Sequence, residues 1–120
     1  MEIEIIRNKL LSFDLCTEET PWGEDTLVYK FMGKVFAILG IDDIPARLNL
    51  KCDPNRSSEL REEYPSISGA FHMNKVHWNS LILDDSIPHN LIFELSDHSY
   101  DLIKSKIPKK KIQELLGNIK

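Results

Sequence analysis

The run Arg47-Leu48-Asn49-Leu50-Lys51 alternates polar and apolar side chains without a break. Successive side chains on a β-strand point to opposite faces, so this run reads as a strand with Leu48 and Leu50 on a buried face and Arg47, Asn49 and Lys51 on an open one. A sheet that is dry on one side and wet on the other is antiparallel, with helices covering a single face. Few other folds accommodate such a strand.

The neighbouring segments fit that arrangement. Residues 27–31 and 35–39 are β-rich runs around Met32-Gly33-Lys34, which predicts a hairpin of antiparallel neighbours. Residues 77–83 read as a further strand. Ile3, Ile6, Leu10 and Phe13 recur at helical spacing and predict an amphipathic helix over 2–14. Asp53-Pro54 is a helix start, because Asp caps free amides and Pro at the first position gives up no needed N–H. That helix runs to about residue 64, where Pro65 disfavours helical geometry in the residue before it. Its narrow stripe of Leu60 and Tyr64 leaves Arg56, Arg61 and Glu62 in water. Leu91, Leu95, His98 and Leu102 predict a long helix over 88–106, preceded by a turn and N-cap at 84–86. Pro108 interrupts, and a short helix over 109–116 ends at Gly117. Residues 15–25, with Pro21, Gly23 and four acids, are expected to be a loop, and residues 66–75 to contain a turn at Gly69. The expected fold class is α+β: a single domain, residues 1–120, with an antiparallel sheet and helices on one face.

Composition sets limits on function. With 42% hydrophobic and 28% charged residues the chain has the makings of a packed core and is not a disordered or collagen-like sequence. Cys16 and Cys52 are too few for a disulfide framework and are expected to be reduced thiols. No run of about 18 apolar residues occurs, and the N-terminus lacks a basic start followed by an apolar stretch. The expectation is a soluble cytoplasmic protein with no membrane association. The net charge of −4 excludes a whole-molecule basic field for nucleic acid. Resolved by segment, however, residues 1–25 and 84–103 carry −5 each, residues 26–52 carry +2 and residues 104–120 carry +5. Any anionic partner must therefore use a local patch.

Candidate nucleic-acid-binding residues are Lys30, Arg47, Asn49, Lys51, Asn74, Lys75, Trp78 and Asn79. Arg47, Asn49 and Lys51 share a strand face, and if Lys30 and Lys75 lie beside them, five polar or basic groups gather in one patch. Arg and Lys would hold phosphates, Asn could read a base edge, and Trp78 could stack on an exposed base. Four phosphate contacts would give a salt slope of about −3.6, hence weak, salt-sensitive binding. The competing reading buries Trp78 in the core and leaves the basic residues as solvation of an open sheet. A second basic stretch, Lys104, Lys106, Lys109, Lys110 and Lys111, also suits the C-terminal ends of helices, where cations complement the dipole.

Other chemistries find little support. His72 and His77 are five apart, a spacing that suits neither one helix face nor one strand face. His98 lies on an apolar helical stripe and reads as a hydrogen-bonded histidine rather than a metal ligand. Asp97 and His98 are adjacent and point about 100° apart on a helix, so they cannot form an orienting pair. No phosphate-binding glycine loop, nucleophile elbow or HExxH sequence is present. No cofactor or metal site is expected, and the chain is not expected to be an enzyme.

The ordered set PWGEDTLVYKFMGKVFAIL, LNLKCDP with LREEYP, FHMNKVHWNSL, and LSDHSYDLIKSKIPKK resembles the MmcQ/YjbR family of small bacterial proteins over roughly residues 20–110. Phe71 stands where the family usually has Tyr, and Ser80 where Thr is common. The resemblance implies a CyaY-like, that is frataxin-like, architecture and DNA binding through a double-wing arrangement. Glu18, Glu19, Glu24 and Asp25 are similar to the acidic iron-binding surface of frataxin-like proteins, but a shared fold does not transfer a site. The alternative function is a protein-interaction module that pairs through a surface around Trp78 and Tyr29.

Overall fold

A computed structural model describes residues 2–70 and 73–119. Its elements are α1 (Ile3–Leu11), β1 (Cys16–Glu19), β2 (Thr26–Phe31), β3 (Lys34–Gly40), β4 (Arg47–Lys51), α2 (Pro54–Glu63), β5 (Ile67–Gly69), β6 (Trp78–Ile82), α3 (His89–Lys104) and α4 (Lys109–Ile119). The strands form one six-stranded sheet in the order β1-β2-β3-β4-β6-β5, and every pairing is antiparallel. The class is α+β, as the alternation in β4 predicts.

Leu48 and Leu50 are buried, and burying each is worth about 1.5–3 kcal/mol. Cross-strand pairing puts Ala37, Leu39, Asn79 and Leu81 on the same face. Ile6 and Leu10 of α1, Leu60 of α2 and Ile92, Leu95, Tyr100 and Ile103 of α3 cover that face. Tyr100 is the hub. It stacks on Phe13 at 4.3 Å, meets Phe31 and Phe36 edge-on, and donates its hydroxyl proton to the Asp14 carbonyl.

Local chemistry explains several boundaries. The β2–β3 hairpin turns on Met32 and Gly33, at φ +50° and +82°, the mirror-image turn that matches the twist of the strands it joins. Asp53 caps α2 by accepting from the Asn55 and Arg56 amides, and the helix stops two residues before Pro65. The register of β2 against β3 shifts between Tyr29 and Lys30, leaving Phe36 as an extra residue. There the buried Ser99 hydroxyl of α3 donates to the Phe36 carbonyl and accepts from the Lys51 amide. The hydroxyl thus bridges β3 and β4 just beyond Ala37–Leu50, where their direct pairing ends.

The structure corrects several expectations, among them the end of α4, which runs on to Ile119 instead of stopping at Gly117. Residues 16–19 of the expected loop are an edge strand, because their backbone groups pair with β2 whatever the side chains carry. Residues 67–69 are likewise a short strand beside β6. The N-cap of α3 is Pro88 rather than the 84–86 turn, in which Asp84 instead accepts from the amide and hydroxyl of Ser86. Arg61 does not stay in water: its guanidinium donates to Asn79 Oδ1 at 2.8 Å and to the carbonyls of Lys75 and Trp78. No helix among the described residues is long and apolar enough to cross a membrane.

Candidate nucleic-acid interface and an open-face cleft

Pairing register settles which candidate residues meet. The uncovered face of the sheet carries Val28 of β2, Ile38 of β3, Asn49 of β4 and Ser80 of β6 in one row, with Lys51 opposite Trp78 and Arg47 opposite Ile82. Lys30 sits on this face at the same end as Lys51. Asn79 does not: it faces the helices, is 1% exposed, and holds Arg61 and Ser57 in a buried network. A one-residue step along a strand reverses the face, so Trp78 and Asn79 cannot share a surface. Asn74 and Lys75 lie just before β6, where Asn74 Oδ1 accepts from the Val76 amide and forms a turn. Tyr29, half of the expected protein-interaction surface, has no exposure, because it also points to the core face. Its hydroxyl donates to Glu18, which Arg7 holds with two further hydrogen bonds. The Arg7 guanidinium, followed by the Tyr29 hydroxyl, keeps the Glu18 carboxyl below its ordinary range, against the opposing effect of burial.

The basic groups are not equivalent. Arg47 lies 3.9 Å from Asp43, and Lys30 lies 3.3 Å from Glu19. Among the described residues no carboxylate acts on Lys51; its charged neighbours are Lys106 and Lys34. Close approach of the Lys106 amine, then partial burial and the charge on Lys34, bring Lys51 down to about 8. Charge is therefore sorted along the strands. Lys30, Lys34, Lys51 and Lys106 collect where β2 ends and β3 begins, while Glu24, Asp25, Asp42, Asp43, Asp84 and Asp85 sit in the connections at the opposite end.

The open face also holds a cleft of about 430 Å³ between Trp22, Ile38, Asn49 and Met73. It adjoins a shallower one of about 240 Å³ that shares Ile38 and Asn49 and runs toward Arg47 and Asp43. Trp22, on the β1–β2 turn, is 69% exposed, and Val28, paired with Ile38 on the sheet, is buried apart from the main core. Asn49 Nδ2 reaches only the Met73 sulfur, at 3.8 Å. Asn49 Oδ1 and the hydroxyl of Ser80, both shielded from solvent, have no hydrogen-bond partner among the described residues. Asn49 was legible as an open-face residue from the strand alternation. Trp22 and Met73 come from loops that fold over the sheet, and the sole local signal was a Trp flanked by Pro21 and Gly23 in an acidic turn.

The remaining reactive groups serve structure. His98 Nε2 accepts from the Asp53 amide, and Asp97 pairs with Lys9 at 2.6 Å. Burial pushes the Cys16 thiol up to about 11 and raises Cys52 as well, so both are protonated near neutrality. Phe71 and His72 lie outside the described residues. Among those described, no group of three or more His, Cys, Asp or Glu side chains is arranged to hold a metal ion.

A family model, YjbR, matches residues 11–102. The Escherichia coli O157:H7 protein YbdF is 34% identical over 91 residues, covering 75% of this chain and 74% of that protein. Escherichia coli K12 YjbR is 32% identical over 71 residues, 59% of each chain. The crystal structure of the Deinococcus radiodurans protein DR2400, a DUF419 domain, superposes with a TM-score of 0.87 at 34% identity, covering 94% of this chain and 86% of that one. A Pseudomonas syringae protein superposes at 0.74 with 25% identity, covering 86% of this chain and 99% of that one. The fold, the ordered motifs and these matches agree: the chain belongs to the YjbR family.

Proposed function

We propose that this protein is a non-enzymatic cytoplasmic module, CyaY-like in architecture, that binds DNA weakly through the lysine end of its sheet. The observation that carries the reading is the grouping of Lys51 with Lys106 and Lys34, where no carboxylate among the described residues offsets the charge on Lys51. A phosphate placed there relieves repulsion among three ammonium groups, whereas Arg47 and Lys30 would first have to give up Asp43 and Glu19. The working patch is thus Lys34, Lys51 and Lys106, with Lys30 and Trp78 beside it, rather than the row through Arg47.

Fluorescence anisotropy with duplex and single-stranded DNA at about 50 and 200 mM salt tests this. Three phosphate contacts give duplex binding a slope of about −2.7, hence a loss of roughly fortyfold across that range. Lys51→Glu with Lys106→Glu should abolish binding, and Arg47→Glu should leave it nearly intact. Absence of binding to both DNA forms at the lower salt would overturn the reading, and enrichment of a single protein partner in a pull-down would replace it with the protein-interaction alternative.

A further inference from the structure

We propose that the open-face cleft between Trp22 and Met73 is a binding pocket for a flat nitrogen heterocycle of the adenine type, one that presents an N–H donor beside a ring-nitrogen acceptor. Its volume of about 430 Å³ falls within the range of small-molecule sites. Its walls are an exposed indole, an isoleucine and a thioether, surfaces suited to the faces and edges of an aromatic ring. Its floor carries the Asn49 carboxamide, an acceptor and a donor side by side, which matches the adenine N6–H and N7 pair.

The state of that floor points to a ligand. Ser80 lies beneath the cleft rather than in its lining: it is 2% exposed, its hydroxyl has no partner among the described residues, and it neighbours Asn49 directly across the β4–β6 ladder. Asn49 Oδ1 is unpartnered too, while its Nδ2 has only a thioether sulfur, a weak acceptor. Buried polar groups in proteins are overwhelmingly paired, so the orphaned Asn49 carboxamide in the cleft lining, with a second orphan directly beneath it, marks a place where bonding capacity is held for something else. Met73 is unbranched and can turn aside as a ring enters, exchanging its poor contact with the amide for a stronger one.

Adenosine, inosine, cytidine and thymidine carry no phosphate, which separates this pocket from the lysine end. Titrated into the full chain with Trp22 fluorescence as readout in a Trp78→Phe background, adenosine should quench, and should bind about tenfold tighter than inosine, whose carbonyl cannot donate to Asn49 Oδ1. Trp22→Ala, followed by calorimetry, should weaken adenosine about tenfold or more through lost stacking. Asn49→Val should abolish the preference for adenosine while leaving the thermal midpoint unchanged or higher, since it removes an unpaired buried amide. A structural asparagine would lower the midpoint instead. Binding should be indifferent to salt between about 50 and 200 mM and to Lys51→Glu with Lys106→Glu. No nucleoside binding at millimolar concentration, or binding that survives both Trp22→Ala and Asn49→Val, would overturn the pocket without touching the DNA reading. Nucleoside binding in a chain that ignores DNA would do the reverse.

Discussion

Asn79 and Lys51 lie side by side on neighbouring strands, one step apart in register, yet their substitutions should have opposite consequences. Asn79 accepts from Arg61 and donates to Ser57 inside the core, so Asn79→Ala strands a guanidinium N–H and a hydroxyl. Urea denaturation should show a loss of about 2–3 kcal/mol, with the DNA affinity of the folded protein unchanged. Lys51 carries a cost in the folded state. Its amine falls from an ordinary 10.5 to about 8 beside Lys106, so between those values the unfolded chain binds more protons and stability rises with pH. Lys51→Gln removes that cost at neutral pH. Because the group is half-exposed and screened, the gain should be only about 1 kcal/mol, a rise of a few degrees in Tm that disappears as pH passes 10.5. A gain that persists at high pH would mean the lysine charge is not its source.

Elements differ in how openly the sequence announces them, and the reason is whether they are specified locally. The hairpin of β2 and β3, the alternating β4, the capped α2 and the periodic α3 each carry their own pattern, and each forms where that pattern predicts. β1 and β5 have four and three residues and lie at the sheet edges, where burial on one face is not required. They exist because a partner strand offers backbone groups, which no local pattern records. The same distinction governs the cleft: Asn49 was readable from the alternation of its strand, whereas Trp22 and Met73 arrive through loop tertiary structure. Contacts between elements were equally hidden. Ser99 of α3 looked like one more polar residue, yet it bridges Phe36 and Lys51 across the bulge. Ser99→Ala should cost about 1–3 kcal/mol and should speed hydrogen exchange at the Lys51 amide more than at its neighbours in β4. Uniform acceleration along the strand would instead indicate general loosening of α3.

At the scale of the whole molecule, a net charge of −4 is unevenly distributed: Lys30, Lys34, Lys51 and Lys106 gather at one end of the sheet, where Asp14 and Asp53 also lie, and the larger group of carboxylates sits in the connections at the other. β2 has six residues, so the two ends stand about 20 Å apart. The Debye length is about 8 Å at 0.15 M salt and about 30 Å at 0.01 M. In physiological salt an anion on the lysine end is therefore shielded from the acidic end, and the net charge does not oppose binding. At very low salt the acidic end comes within range and repels the same polyanion. A protein with a uniformly basic surface keeps gaining affinity as salt is removed; this one should gain less than a straight line predicts. The expected plot of log affinity against log salt for a short duplex is linear from about 200 to 50 mM and bends toward a plateau near 10 mM. Glu24 and Asp42 are exposed at the acidic end, so Glu24→Gln with Asp42→Asn should straighten the plot at its low-salt limb and leave the 200 mM affinity unchanged. A native plot that is already straight to 10 mM would show that DNA meets the protein where the carboxylates do not act, and would move the interface away from the sheet.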